Sequence, residues 1–166
     1  MISIVVPTWN EEGNIKPFIS GIYKYLKNEN FEIIFVCDPC TDKTIEIIEE
    51  IAFNDSRISL ILMSRKFGQP MATLAGLEKC RGKCAIVMDV DLQDPPSLLP
   101  KMIEYWRKGF EVVLPQRTSR IGENPVRIFI AKLAYKLIDK FSNIQMPRNV
   151  SDFRLIDRVV IDQINL

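Results

Sequence analysis

Short apolar runs alternate along most of the chain with stretches of helical spacing. The apolar runs cover residues 2–6, 31–37, 58–63, 84–88 and 111–114. Between the first two runs, apolar residues recur every three or four positions, as in an amphipathic helix. Near-continuous apolar strands separated by helices are typical of a mainly parallel sheet with helices on both faces. The sequence therefore predicts an α/β fold, with residues 1–166 forming a single domain.

Helix boundaries follow from capping and breaking residues. Thr41 is predicted to cap the second helix, and Pro70 is predicted to begin the third. The fourth helix should run from about Ser97 until Gly109 stops it.

Composition and charge exclude several classes of function. The net charge is +1, which provides no broad positive field for nucleic acid, and the chain contains no histidine, the commonest general base. No signal peptide precedes the first strand, and no run approaches the roughly 20 apolar residues of a membrane span. A cytoplasmic protein with reduced cysteines is therefore expected. The sequence carries no signal for an oligomeric state.

Ligands of parallel α/β sheets bind beyond the carboxyl ends of the strands. The segments after the five predicted strands are "PTWNEE", "CDPCTDKT", "SRKFGQP", "DVDLQDPP" and "PQRTSR". Acidic groups, an aromatic ring and arginines should thus meet at one edge of the sheet.

The segment "MDVDLQDPP" offers ligands for a divalent cation. Asp89 and Asp91 are two residues apart at a strand end, so both carboxylates can point to one side, and Gln93 adds a neutral oxygen. Mg²⁺ or Mn²⁺ bound there would neutralise charge on a departing diphosphate. The alternative is a solvated turn followed by a helix cap.

Four cysteines allow two other interpretations. Cys37 and Cys40 form a Cys-x-Pro-Cys sequence between a strand and a helix, as in thioredoxin-like redox sites, which need an accessible thiolate of low pKa. Together with Cys80 and Cys84 they could form a zinc site.

Four segments in order, "VPTWNEE", "SRKFGQPMATLAGL", "MDVDLQDPP" and "SDFRLIDR", carry a resemblance that covers nearly the whole chain. The chain resembles family 2 glycosyltransferases of the GT-A (Rossmann-like) fold, in particular the branch that transfers a sugar to a polyprenyl phosphate, which includes dolichyl-phosphate mannosyltransferases and undecaprenyl-phosphate glucosyltransferases. The resemblance implies metal-dependent, inverting transfer from a UDP- or GDP-sugar. The alternatives are a transferase acting on a glycan or protein hydroxyl, and a non-catalytic fragment that binds nucleotide sugars.

The resemblance also implies which residues bind the donor. In relatives the loop after the second strand usually reads Val-Asp-Asp-Gly-Ser-Thr-Asp-Gly-Thr, so Asp38 falls on an aspartate that contacts the nucleoside, whereas Cys37, Pro39 and Cys40 depart from the pattern. Trp9 offers a stacking face and Arg117 matches an arginine near the donor phosphates. The implied donor-binding residues are Pro7, Trp9, Glu11, Val36, Asp38, Asp89, Val90, Asp91 and Arg117.

A lipid phosphate acceptor is already an anion, so it needs cationic contacts rather than a base. Asp152, Arg154, Asp157 and Arg158 are the candidates in "SDFRLIDR". The resemblance implies that Asp157 acts on the acceptor side, and Arg154 could hold the phosphate. Asp91, Arg154 and Asp157 are thus the expected catalytic residues, the alternative being a strand edge with paired surface charges.

Residues 125–141 predict a basic amphipathic helix, which can lie on an anionic membrane surface or pack on the sheet. Relatives continue beyond the "FRLIDR" segment with an acceptor-side loop and usually transmembrane helices. The resemblance therefore implies that these residues are the catalytic core of a longer enzyme at the cytoplasmic face of the membrane.

Overall fold

The computed structural model describes residues 1–116 and 152–166. The strands are β1 (Ile2–Thr8), β2 (Phe31–Cys37), β3 (Ile58–Leu62), β4 (Cys84–Val87), β5 (Val112–Val113) and β6 (Arg154–Asp157). The helices are α1 (Ile15–Tyr25), α2 (Thr44–Asn54), α3 (Gln69–Lys79), α4 (Leu99–Arg107), which follows a 3₁₀ turn at Pro96–Leu98, and α5 (Arg158–Ile164). Within this part of the chain, every helix is too short or too polar to cross a bilayer.

The six strands form one sheet in the order β3-β2-β1-β4-β6-β5. Strands β1 to β4 pair in parallel, whereas β6 runs antiparallel to both β4 and β5. The chain winds outward from β1 through β2 to β3 and then crosses back to β4, so the winding direction reverses between β1 and β4. In open α/β sheets this switch point is where ligands bind.

Helices cover both faces of the sheet, as the apolar runs predict. One apolar cluster joins one face to α1, α2 and α4, and a second joins the opposite face to α3 and α5. All seven residues of β1 and all seven of β2 are buried, which explains why neither strand alternates between apolar and polar residues. The central strands are therefore the most firmly fixed part of the fold.

Local geometry corrects two sequence predictions. Thr41 does not cap the second helix, because α2 begins at Thr44 and the backbone N–H of Thr44 donates to the side chain of Asp42 at 3.0 Å. The fourth α-helix itself starts at Leu99, after the 3₁₀ turn at Pro96–Leu98, rather than at about Ser97. Gly109, with φ of 96°, follows α4 as expected.

Candidate donor-binding site

The switch point opens into a cavity of about 260 Å³. It lies at the carboxyl ends of β1, β2 and β4 and beside the segment between β3 and α3. Its lining residues are Pro7, Thr8, Trp9, Glu11, Asp38, Lys66, Gly68, Gln69, Ala72, Asp89, Val90 and Asp91. The structure therefore brings together all the expected donor-binding residues except Val36, which is buried in β2, and Arg117, which lies outside the described residues.

Asp89 is the most electrostatically perturbed carboxylate of this cavity. Burial, and after it the nearby carboxylates of Asp91, Asp152, Asp94 and Glu11, together raise its pKa from 3.8 to about 6. Five acidic groups thus converge where the chain leaves β4. A divalent cation would relieve their mutual repulsion, so the site fits the metal that the sequence predicts.

The side chains around Asp89 leave part of the acidic cluster open to a ligand. Gln69, the first residue of α3, donates from Nε2 to Oδ1 of Asp89 at 2.8 Å. Oδ1 of Asp91 accepts from the backbone N–H of Gln93 at 3.0 Å. Leu92, between Asp91 and Gln93, has φ of 61°, a left-handed conformation that leucine rarely adopts. The exposed Gln93 itself does not line the cavity.

No three or more His, Cys, Asp or Glu side chains among the described residues are arranged to hold a metal ion by themselves. A cation at Asp89 and Asp91 would therefore need further oxygen ligands, such as those of a diphosphate. This is the arrangement that Mg²⁺ prefers, with few protein carboxylates and several ligands from substrate or water.

The loops after β1 and β2 are bonded to one another. Asn10, with φ of 54°, donates from Nδ2 to Oγ1 of Thr41 at 3.0 Å and accepts from the backbone N–H of Thr41 at 2.8 Å. The backbone N–H of Glu11 donates to Oγ1 of Thr44 at 2.7 Å. These contacts hold Trp9 and Glu11 at the mouth of the cavity.

Asp38 fixes a third loop. Only 4% of Asp38 is exposed, and its two carboxylate oxygens accept from the backbone N–H groups of Phe67 at 3.1 Å and Gly68 at 2.9 Å. The segment that links β3 to α3 is thereby attached to the end of β2. Gly68 has φ of 86°, which glycine adopts without strain.

The cysteines occupy positions that fit neither alternative. Cys37 is buried and Cys40 is half-buried, and both are free thiols. Cys37 pairs with Thr8 at the carboxyl end of the parallel strands, whereas Cys84 pairs with Ile2 at the amino end. The four cysteines therefore do not converge on a zinc ion. Burial raises the pKa of Cys37 to about 12, which is opposite to the shift a redox thiolate needs.

We expect native Cys37 to resist alkylation at pH 9, because a thiol whose pKa is raised to about 12 stays protonated there and is also buried. The half-buried Cys40 should react first. Mass spectrometry after timed iodoacetamide labelling would measure both rates, with urea-unfolded protein as the control. Fast labelling of Cys37, or a reversible disulfide between Cys37 and Cys40, would restore the redox interpretation.

The first and last residues of the "SDFRLIDR" segment lie at opposite edges of the sheet. Arg154 pairs with Val87 near the carboxyl end of β4, and Asp152 precedes it on the same side. Asp157 pairs with Cys84 at the amino end of β4. Because β6 is antiparallel, its first residues face the acidic cluster and its last residues lie at the opposite edge.

Asp157 is therefore not brought to the cavity, contrary to the expectation that it acts on the acceptor side. Its carboxylate caps α5 by accepting from the backbone N–H of Val159 at 2.9 Å, and it also accepts from the indole N–H of Trp106. Arg158 donates to the backbone carbonyls of Cys80 and Gly82. Both residues stabilise the amino edge of the sheet.

Asp157→Ala should lower the free energy of unfolding by about 2 kcal/mol, because it removes a helix cap and leaves the indole N–H of Trp106 without its acceptor. Nucleotide binding should not change. Urea denaturation would measure the loss, with Asp152→Ala as the matched control at the other edge. Equal stability of the two variants would contradict the assignment.

A second cavity, of about 290 Å³, adjoins the first and shares Gln69 with it. Its lining residues are Gln69, Pro70, Thr73, Leu74, Leu77, Asp152, Arg154, Ile156 and Ile164. The guanidinium of Arg154 lies 3.4 Å from the carboxylate of Asp152, and its buried Nε has no hydrogen-bond partner among the described residues. This cavity thus combines apolar walls with an arginine that can bind an anionic ligand in addition to Asp152.

Lys66 and Gln69 line the donor cavity although the sequence did not mark them as site residues. Their only sequence signal is a position directly after the third strand, in "SRKFGQP". Residues 125–141, predicted to form the basic amphipathic helix, lie outside the described residues.

Comparisons with known proteins identify the family of this chain and agree with its fold. The family model for glycosyl transferase family 2 matches residues 3–164. The uncharacterised glycosyltransferase YkcC of Bacillus subtilis (strain 168) is 41% identical over 97% of this chain and 50% of its own length. A bactoprenol glucosyl transferase of Shigella phage SfX is 38% identical over 99% of this chain and 55% of its own length. The chain thus spans about half the length of these curated relatives.

Two solved structures share the fold at lower identity. The mannosyltransferase PcManGT from Pyrobaculum calidifontis, in complex with GDP-Man and Mn²⁺, aligns with a TM-score of 0.66 at 19% identity, over 98% of this chain and 46% of its own. Glucosyl-3-phosphoglycerate synthase from Mycobacterium tuberculosis, in complex with Mn²⁺, UDP-glucose and phosphoglyceric acid, aligns with a TM-score of 0.66 at 22% identity, over 96% of this chain and 57% of its own. The fold is therefore that of the GT-A glycosyltransferases, and the chain belongs to glycosyl transferase family 2.

Proposed function

We propose that this chain is the donor-binding, catalytic core of an inverting glycosyltransferase that moves a sugar from a nucleotide sugar to a polyprenyl phosphate. The observation that carries the proposal is the meeting of Asp89, Asp91 and Trp9 in one cavity at the switch point of the sheet. Carboxylates there suit a metal-bound diphosphate, and the indole suits a nucleobase.

Asp89 and Asp91 would hold Mg²⁺ or Mn²⁺, and oxygens of the diphosphate would supply further ligands, since Gln93 does not line the cavity. When bound, the cation neutralises the charge that grows on the departing nucleoside diphosphate. Mn²⁺ and a nucleotide sugar occur together in both fold neighbours named above, which supports a metal-dependent donor site. We further propose that Arg117 contacts the donor phosphates.

Polyprenyl phosphate is the acceptor that the second cavity and the bactoprenol-related relative support best. Arg154 would hold its phosphate, whose oxygen could supply the partner that Nε of Arg154 lacks. In the reaction a phosphate oxygen of the acceptor forms a bond to the anomeric carbon. The bond from that carbon to the nucleoside diphosphate breaks, and the diphosphate leaves with the electron pair.

Transfer of radiolabelled sugar from UDP- or GDP-sugars to short polyprenyl phosphates would test this function. The proposal expects a lipid-extractable, Mn²⁺-dependent product with inverted anomeric configuration. Label on a glycan or a protein hydroxyl instead would favour the first alternative. Metal-dependent donor binding without transfer, including in a protein extended to the length of the relatives, would favour the non-catalytic alternative.

A further inference from the structure

A single ammonium group enters the acidic donor cavity. Among the described lining residues Lys66 is the one cation, whereas Glu11, Asp38, Asp89 and Asp91 all contribute carboxylates. Nζ of Lys66 nevertheless lies over the ring of Trp9, 3.0 Å from its centroid. The cation therefore covers the aromatic face that a nucleobase would use.

A stacked base can displace this cation. The Trp9 residue is 46% exposed, so its contact with Lys66 is only partly desolvated, and a cation over an exposed ring is held weakly. A nucleobase gains more from stacking on an aromatic ring, because the two flat surfaces exclude water from each other. Lys66 must then move toward the edge of the stacked base.

The backbone of Lys66 cannot move far during this exchange. The next two residues, Phe67 and Gly68, donate their N–H groups to the buried carboxylate of Asp38. The ammonium group of Lys66 and the carboxylate of Asp38 therefore approach the cavity from adjoining positions. Each carboxylate oxygen of Asp38 can still accept a further hydrogen bond.

Nucleobases differ in the hydrogen-bond donors and acceptors that they present to an ammonium group beside a carboxylate. Uracil and guanine each carry a carbonyl oxygen next to a ring N–H, which matches a donor beside an acceptor. Cytosine and adenine carry an amino group next to an unprotonated ring nitrogen. The ammonium of Lys66 would then face another donor, and the carboxylate of Asp38 would face another acceptor. A mismatch that leaves the buried carboxylate of Asp38 facing an unprotonated ring nitrogen discriminates strongly.

We propose that Lys66 determines the base specificity of the donor site. Displaced from Trp9 by the incoming base, its ammonium donates to the carbonyl oxygen of uracil or guanine beside Asp38 and disfavours cytosine and adenine. This inference rests on the proposed function, because it assumes that the cavity binds the donor nucleotide.

Fluorescence titration of Trp9 with UDP, CDP, GDP and ADP in the presence of Mg²⁺ tests the proposal. The chain has two tryptophans, and Trp106 lies at the opposite edge of the sheet. The parent should bind UDP over CDP, or GDP over ADP, by at least about tenfold, since losing a hydrogen bond to a charged group costs that much. In Lys66→Met the ratio should fall to about threefold or less. Lys101→Met, at an exposed position on α4, should behave as the parent.

Two outcomes overturn the role of Lys66 and leave the proposed function standing. One is an unchanged base preference in Lys66→Met. The other is an equal loss of affinity for all four nucleotides, which would indicate a contact with the diphosphate. Binding of none of them by folded parent protein would overturn the proposed function and this inference together.

Discussion

Replacing Asp91 with Asn is expected to weaken metal-dependent nucleotide binding at least ~100-fold, since loss of even an indirect metal partner costs 10- to 100-fold. Asp91 lines the donor cavity next to Asp89, and among the residues that the structure describes only the backbone N–H of Gln93 bonds to it, through Oδ1. An asparagine can keep that hydrogen bond through its carbonyl oxygen. The variant would therefore fold as the parent does and lose only the negative charge that holds the cation.

Calorimetric titration of UDP and GDP, with Mn²⁺ and with EDTA, would measure the loss. Asp162→Asn is the matched control, because Asp162 is an exposed carboxylate on α5 with one weak ion pair at 3.5 Å. The control should bind as the parent does. Parent binding that is equally strong in EDTA would contradict a metal-assisted donor site, as would parent-like binding by Asp91→Asn.

The acidic cluster around Asp89 also leads us to expect that a diphosphate binds together with a cation. Burial and the repulsion from the surrounding carboxylates together raise the pKa of Asp89 to about 6. An anionic ligand alone would increase that repulsion, whereas a divalent cation offsets two of the negative charges. Nucleotide binding without metal should accordingly be weak, whichever base the donor carries.

Those parts of the fold that depend on local pattern could be predicted from the sequence. The boundaries of β2 match the apolar run at residues 31–37, because burial on both faces makes the whole strand apolar. Strand β6 could not be recognised in the same way. It has four residues, begins with Arg154 and ends with Asp157, and forms by pairing with β5 and with β4, which lies some 70 residues earlier in the chain.

The same distinction applies to the donor site. Ligands bind beyond the carboxyl ends of parallel strands, and this rule correctly predicted that Trp9, Asp38, Asp89 and Asp91 line one cavity. It could not place Asp157, because the direction of an antiparallel strand reverses which of its ends faces the site. Nor could it show that Asp38 binds the neighbouring loop, since hydrogen bonds to backbone N–H groups leave no pattern in the sequence.

Gly76→Ala is expected to lower the free energy of unfolding by about 3 kcal/mol, because a Cβ at this position would lie 2.3 Å from Cγ1 of Val5 and 3.1 Å from Cγ2 of Val36. Gly76 lies on α3, where the helix approaches β1 and β2 most closely, and all three residues are buried. Neither valine can move away, since both are fixed in fully buried strands.

A double-mutant cycle would show whether this one steric contact is the cause. Val5→Ala alone should cost about 2 kcal/mol through the lost apolar contacts, yet it removes the atom that the new methyl group meets. The double variant should therefore be about 2 kcal/mol more stable than the sum of the single effects predicts. Urea denaturation of all four proteins provides the measurement. Strict additivity would mean that Gly76 is required for another reason, such as the path of α3 toward Gln69 and the donor cavity.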